Sequence, residues 1–151
     1  MEIKKILVGI DGSENSEKAL DFALALAEKF DSTVTILNVS ESLAISQVPQ
    51  ESVPYSGVNS MSGLVKDLTR IQEELLAKSL EHARTLKPNL VVSSMSLEGD
   101  PALEIIDTAK TGSFDTVVIG HKGLGKMREI FLGSVSEKVA HQAPCPVILV
   151  P

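Results

Sequence analysis

Between Thr116 and Ser136 the chain reads TVVIGHKGLGKMREIFLGSVS, and this stretch carries the residue types that hold phosphate. An apolar β-branched run, Thr116 to Ile119, breaks at Gly120. Gly123 and Gly125 follow, interleaved with His121, Lys122, Lys126 and Arg128, and regular structure resumes at Gly133-Ser134. Glycine lets a backbone come close to a ligand, and the unpaired N–H groups of a helix's first turn point at an anion. A buried strand, a glycine-rich cationic loop and a helix opened by a small hydroxyl residue therefore predict a nucleotide-phosphate site.

The chain around this stretch must supply a sheet to position it. Lys5 to Asp11 (KILVGID) is continuously apolar, as a strand buried on both faces is, and ends in Asp11. Ser13 or Ser16 then caps a helix with Ala19, Phe22, Ala23, Leu26, Ala27 and Phe30 along one side. Ser32 to Val39 gives a second strand, so the crossover is parallel and right-handed. The segment 40–63, with Pro49, Pro54, Gly57 and Gly63, reads as a flexible loop. Leu64 to Leu86 reads as a helix with Leu64, Leu68, Ile71, Leu75, Leu76, Leu80 and Ala83 inward, stopped at Lys87-Pro88.

Leu90 to Leu97 alternates and is more polar, which places it at a sheet edge. Asp100-Pro101 opens a short helix with Ala102, Leu103, Ile105, Ile106 and Ala109 on its core face, N-cap Asp before Pro at the first helical position. After the glycine loop, Ser134 to Gln142 is a helix with Val135, Val139 and Ala140 inward, and Val147 to Val150 closes the sheet. Strands and helices alternate throughout. The expected fold is α/β: one domain, a doubly wound five-stranded parallel sheet with helices on both faces. Ligands of such sheets bind beyond the carboxyl ends of the strands where the order reverses. A strand order 3-2-1-4-5 would make the ends at Asp11 and Gly120 neighbours facing one ligand.

Charge and cysteine usage narrow the classes. Fourteen Lys and Arg against 20 Asp and Glu leave a net charge of −6, which argues against a general nucleic-acid face and makes the cations near 121–128 a local exception. The single Cys145 allows no internal disulfide and reads as a small buried hydrophobe. The apolar run after Lys4-Lys5 is only about six residues, too short for a signal segment or membrane span, so the expectation is a cytoplasmic protein. His82 and His141 stand alone on helices with no partner at metal-ligand spacing, and the methionines form no stripe. His121 reads as a loop side chain near phosphate rather than a catalytic base.

No GxxxxGK[ST] loop occurs, and the first turn, IDGSENS, lacks GxGxxG. A receiver-type domain would want a further acidic residue beside Asp11 and an Asp after the third strand, where the chain has Glu98-Gly99-Asp100. What remains is Gly120-x2-Gly123-x9-Gly133-Ser134, which resembles the ATP-binding branch of the universal stress protein family, whose signature is G-x2-G-x9-G-[S/T]. KILVGIDGSENSEKAL, the turn and helix at 99–109 and the closing CPVILV extend the resemblance over nearly the whole chain.

That resemblance implies an adenine nucleotide alpha hydrolase-like fold and ATP, AMP or ADP as ligand, with Mg²⁺. Gly9, Ile10 and Asp11 would line the adenosine pocket, with Asp11 near the ribose or a metal; as a duller reading Asp11 only caps the first helix. Val39 would offer backbone groups to the base. Gly120, Gly123 and Gly133 would let the loop wrap the phosphates, and Ser134, Val135 and Ser136 would donate from the helix start. Lys122, Lys126 and Arg128 match no fixed position of the motif, so their phosphate role is an electrostatic inference.

Hydrolysis needs a group that positions water in line, and no Glu or His of the loop has that claim. The HxGH and KMSKS signals of adenylyl transfer are absent. The favoured reading is thus a nucleotide-dependent regulatory or stress-response module, the alternative a slow ATPase or nucleotidyl-transfer enzyme, and a third reading a scaffold that has lost its ligand. Val147 to Val150, left at a sheet edge, is where similar family members pair, so a homodimer is expected there.

Overall fold

A computed structural model describes residues 2–41, 55–124 and 132–151. In chain order the elements are β1 (Lys5–Gly9), α1 (Glu14–Phe30), β2 (Thr33–Ser40), α2 (Tyr55–Leu86), β3 (Val92–Glu98), α3 (Pro101–Thr111), β4 (Thr116–Gly120), α4 (Ser134–Gln142) and β5 (Val147–Val150). The five strands form one parallel sheet in the order β3-β2-β1-β4-β5. The strand order therefore reverses between β1 and β4, as expected, and the polar strand β3 lies at an edge.

Alternation along the central strands divides the core in two. Ile6, Val8 and Ile36 face α1 and α2, whereas Leu7, Leu37, Val117 and Ile119 face α3 and α4. All but Leu37 and Ile119 of these are fully buried, and those two are nearly so. Both faces of the inner strands are thus covered, which is why their sequence is apolar without alternation.

The helices follow their patterns with four departures. On α1 the buried stripe is Ala19, Leu20, Ala23, Leu24 and Ala27, while Phe22 and Phe30, expected inward, are 44% and 46% exposed. The alanine ridge lets α1 lie close to the sheet, and leucine rather than the bulkier phenylalanine fills the flank. Among the residues of α2 whose burial is described, only Leu76 and Ala83 are buried; Leu64, Leu68 and Ile71 are exposed. A helix of 32 residues spans about 48 Å, whereas the strands it crosses span at most about 26 Å, so one half must overhang. Leu103 on α3 and Ala140 on α4, also expected inward, are exposed.

α2 also begins at Tyr55 rather than Leu64, so 55–63 belongs to a helix and Ser40 to β2. The apolar spacing continues back through Met61 and Val58, and Gly57 and Gly63 cost a helix about 1 kcal/mol each without ending it. Residues 42–54 of the expected loop lie outside the described residues. His82 places Nε2 2.7 Å from Asp21 Oδ1, joining α2 to α1 beside the Lys87–Glu28 pair at 2.6 Å. Cys145 is half-buried; burial and then the nearby Asp115 charge push its thiol above the usual range.

At the start of α3, Asp100 Oδ1 accepts from Leu103 N–H at 2.9 Å, and Pro101 opens the first turn. This bond, aided by Lys138, holds the Asp100 carboxyl below its ordinary value of 3.8. A depressed carboxylate stabilises the fold above the unfolded-state value and loses that contribution as pH falls through the folded-state value. Asp100→Ala should therefore cost about 1 kcal/mol at neutral pH and lower the thermal midpoint by about 2–4 °C. Asp100→Asn, which can still cap, should keep most of that stability while flattening the loss below pH 4; calorimetry across pH 3–7 checks both.

Candidate functional site

At the carboxyl ends of β1, β2 and β4 the reversal of strand order opens a cleft of about 350 Å³. Its walls bring together residues far apart in sequence: Gly9 at the end of β1 with Ile10 and Asp11 after it, Val39 from β2, and Gly120 at the end of β4 with Lys122 and Gly123 after it. The first turn of α4 completes it with Gly133, Ser134, Val135 and Ser136. Of the expected site residues that are described, only His121 does not line it. Lys126 and Arg128 lie outside the described residues.

His121 is turned the other way. Its ring Nδ1 sits 3.2 Å from the Val150 carbonyl, and its N–H donates to the same oxygen at 2.8 Å, extending the β4–β5 ladder by one residue. Its carbonyl accepts from Gly133 N–H at 2.9 Å and from Ser136 Oγ at 2.8 Å. The expectation of a side chain beside phosphate is thus replaced by a backbone role: His121 ties the start of α4 to the end of β4. Ser136 is buried and spends its hydroxyl on this tie and on the Gly133 carbonyl at 2.8 Å, so only its main chain is left to meet a ligand.

The three helices whose caps are described differ in one respect. Ser13 Oγ accepts from Ser16 N–H at 3.2 Å to cap α1, and Asp100 caps α3. α4 has Gly133 at its N-cap and no side-chain cap bond. Its first-turn donors and the positive end of its dipole open on the cleft, an arrangement suited to an anion.

Asp11 is held on both sides. Oδ1 accepts from Ser13 N–H at 2.9 Å, the local turn that starts α1, and Oδ2 accepts from Leu124 N–H at 3.2 Å across the cleft mouth. The duller reading, an Asp that only shapes the helix start, therefore describes one oxygen and not the other. A Cβ on Gly123 would stand 2.5 Å from Oδ2, so glycine at 123 is what lets the loop close on this carboxylate. Among the described residues no group of three His, Cys, Asp or Glu side chains could hold a metal. Among the described residues Asp11 and Glu41 are the carboxylates lining the cleft, too few for an all-protein metal site.

Several lining residues were missed by the sequence reading: Ser16, Leu37, Glu41, Pro101, Ile105 and Leu124. Leu37 follows from alternation with Val39 on one face of β2. Pro101 and Ile105 enter because α3 starts at the same end of the sheet as the cleft. Only knowledge of the fold supplies that signal.

Comparison with known proteins fits this architecture. A sequence model of the universal stress protein family matches residues 2–151. Universal stress protein YxiE of Bacillus subtilis is 30% identical over 146 residues, covering 97% of each chain. Universal stress protein UspA from Lactobacillus plantarum superposes with a TM-score of 0.83 at 22% identity, covering 100% of this chain and 99% of that one. A universal stress protein from Archaeoglobus fulgidus, solved in complex with dAMP, superposes at 0.66 with 22% identity over the whole of both chains. No helix among the described residues is long and apolar enough to cross a membrane. With the family model spanning the chain and a relative at this identity matching it end to end, the chain belongs to the universal stress protein family.

Proposed function

We propose that the cleft binds an adenine nucleotide, ATP in the first instance, and that occupancy makes this chain a regulatory or stress-response module in the cytoplasm. The observation that carries the reading is the uncapped start of α4 opening, together with the glycine loop, on the cleft that Asp11 also lines. The base would lie toward Val39, the ribose toward Asp11, and the phosphates against Gly123, Gly133 and the main chain of Ser134, Val135 and Ser136. Lys122 lines the same cleft and supplies positive charge; Lys126 and Arg128 are proposed to add to it. The dAMP complex of the Archaeoglobus fulgidus relative supports the ligand class. Mg²⁺ would come with the phosphates, and Asp11 would reach it directly or through water.

Binding without efficient turnover is favoured because, among the described residues, the charged side chains lining the cleft are Asp11, Glu41 and Lys122, and Asp11 is already engaged with two N–H groups. Native mass spectrometry of the purified protein should release an adenine nucleotide, with negligible ADP production from added ATP over hours. An empty protein that stays empty in excess ATP and Mg²⁺ defeats the reading; rapid turnover replaces it with the ATPase alternative. The exposed edge of β5, residues 147–150, is proposed as the homodimer contact, and a monomer by light scattering at micromolar concentration would remove that part alone.

A further inference from the structure

Asn38 on β2 is 5% exposed, and its Oδ1 is a buried side-chain oxygen with no hydrogen-bond partner. A buried orphan of this kind costs stability, so its presence calls for a reason. The other half of the amide supplies one. Nδ2 donates to the Ile10 carbonyl at 2.8 Å, and that bond fixes the orientation of the amide, since the reverse would set two oxygens against each other.

The strand geometry shows what this bond displaces. Along β2 successive residues aim their N–H and C=O alternately at β1 and at β3. Ile10 N–H donates to Leu37 O at 2.9 Å, so Leu37 and Val39 face β1; Gly99 N–H donates to Ser40 O at 2.8 Å, so Asn38 and Ser40 face β3. In a continued parallel ladder the Val39 N–H would donate to the Ile10 carbonyl. The β1–β2 register ends at Gly9–Leu37, one rung short of that bond, and the Ile10 carbonyl is taken by the Asn38 side chain. Val39 in turn lines the cleft.

We infer that Asn38 is a positioning residue for base recognition: by occupying the Ile10 carbonyl it stops the sheet one rung early and leaves the main-chain edge of Val39 to a purine. This rests on the adenine-nucleotide reading and extends it to specificity. A donor and an acceptor from one residue match N1 and the 6-amino group of adenine. With the ribose and phosphate held in place, hypoxanthine sets its 6-oxygen against the Val39 carbonyl and is rejected. Without Asn38 the Ile10 carbonyl captures the Val39 N–H, and the preference goes with it.

The test is calorimetry with AMP, IMP and inorganic pyrophosphate on the full chain and on Asn38→Leu, which keeps the γ-branched shape and removes the orphan oxygen. The wild type should prefer AMP over IMP by at least about tenfold. In Asn38→Leu the AMP affinity should fall about tenfold and the preference approach unity, with pyrophosphate binding and the unfolding midpoint unchanged or the midpoint raised. An equal loss for AMP and IMP, or none, would overturn the inference by making Asn38 a packing residue. A wild type that binds pyrophosphate but neither nucleotide would overturn the adenine reading and this inference together. Should the leucine variant fail to fold, the isosteric Asn38→Asp answers: its AMP-to-IMP preference should recover as pH falls from 8 to 5 and the protonated carboxyl can donate to Ile10. The shared phosphate titration cancels in that ratio, so a pH-independent ratio refutes the role.

Discussion

Gly123→Val should weaken adenine-nucleotide binding by at least on the order of a hundredfold, with the far-ultraviolet circular dichroism unchanged. A Cβ at this position stands 2.5 Å from Asp11 Oδ2, a separation no folded structure accommodates. Either the Asp11 carboxylate swings away, breaking the bond from Leu124 N–H, or the loop lifts off the cleft. Both outcomes move the main-chain donors proposed to meet phosphate, and the loss of two charge-assisted hydrogen bonds at about 1.5 kcal/mol each already exceeds a hundredfold.

The same contact separates a steric cause from a ligand-blocking one. In an Asp11→Ala background the obstruction is gone, so adding Gly123→Ala should cost little further affinity, and the two changes should be strongly non-additive. Gly133 gives the contrast. A Cβ there meets Ser136 Oγ at 3.4 Å and the His121 carbonyl and Lys122 Cα at 3.5 Å, which is ordinary contact. Gly133→Ala is therefore tolerated by the free protein, and any loss of affinity it shows reports the approach of the ligand itself. Full affinity in Gly123→Val, measured by calorimetry, would show that the loop position does not matter to binding.

The central strands and the polar edge could be read from the sequence because burial shows in their composition, whereas the order 3-2-1-4-5 was an expectation that composition alone does not encode. Continuous apolar runs at Lys5–Gly9 and Thr116–Gly120 mark the centre, and the serines of β3 mark a margin. The cleft follows once that order is in place, since a reversal between the first and fourth strands leaves Asp11 opposite the glycine loop. What was misread depends on matters that periodicity does not encode. Periodicity says which side of α2 is apolar but not how far the sheet extends beneath it, hence the exposed Leu64, Leu68 and Ile71. The backbone role of His121 was hidden because a histidine in a cationic loop advertises its ring, whereas the fold uses its carbonyl. Asn38 drew no notice for a similar reason: an isolated polar residue in a strand looks like surface until pairing places it between two strands.

Gly120→Val should be the more damaging change to the fold itself, lowering stability by about 3 kcal/mol and the thermal midpoint by about 6–12 °C. A Cβ on Gly120 would meet the Asn15 backbone carbon and Cβ at 2.9 Å and the Asn15 carbonyl oxygen at 3.0 Å. Unlike the carboxylate beside Gly123, this neighbour cannot rotate aside. Asn15 belongs to the first turn of α1, pinned by the Ser13 cap, by Ser16 Oγ donating to the Ser13 carbonyl at 2.9 Å, and by the Asp11 turn before it. Relief requires β4 and α1 to separate where the strand order reverses, which also pulls apart the two walls of the cleft. Stability and affinity should therefore fall together in Gly120→Val, whereas Gly123→Val should lose affinity with its thermal midpoint held within about 2 °C. Thermal melts of the two variants beside their calorimetric titrations decide the matter: a Gly120→Val protein as stable as wild type would mean that the β4–α1 approach is looser than the 2.9 Å geometry implies.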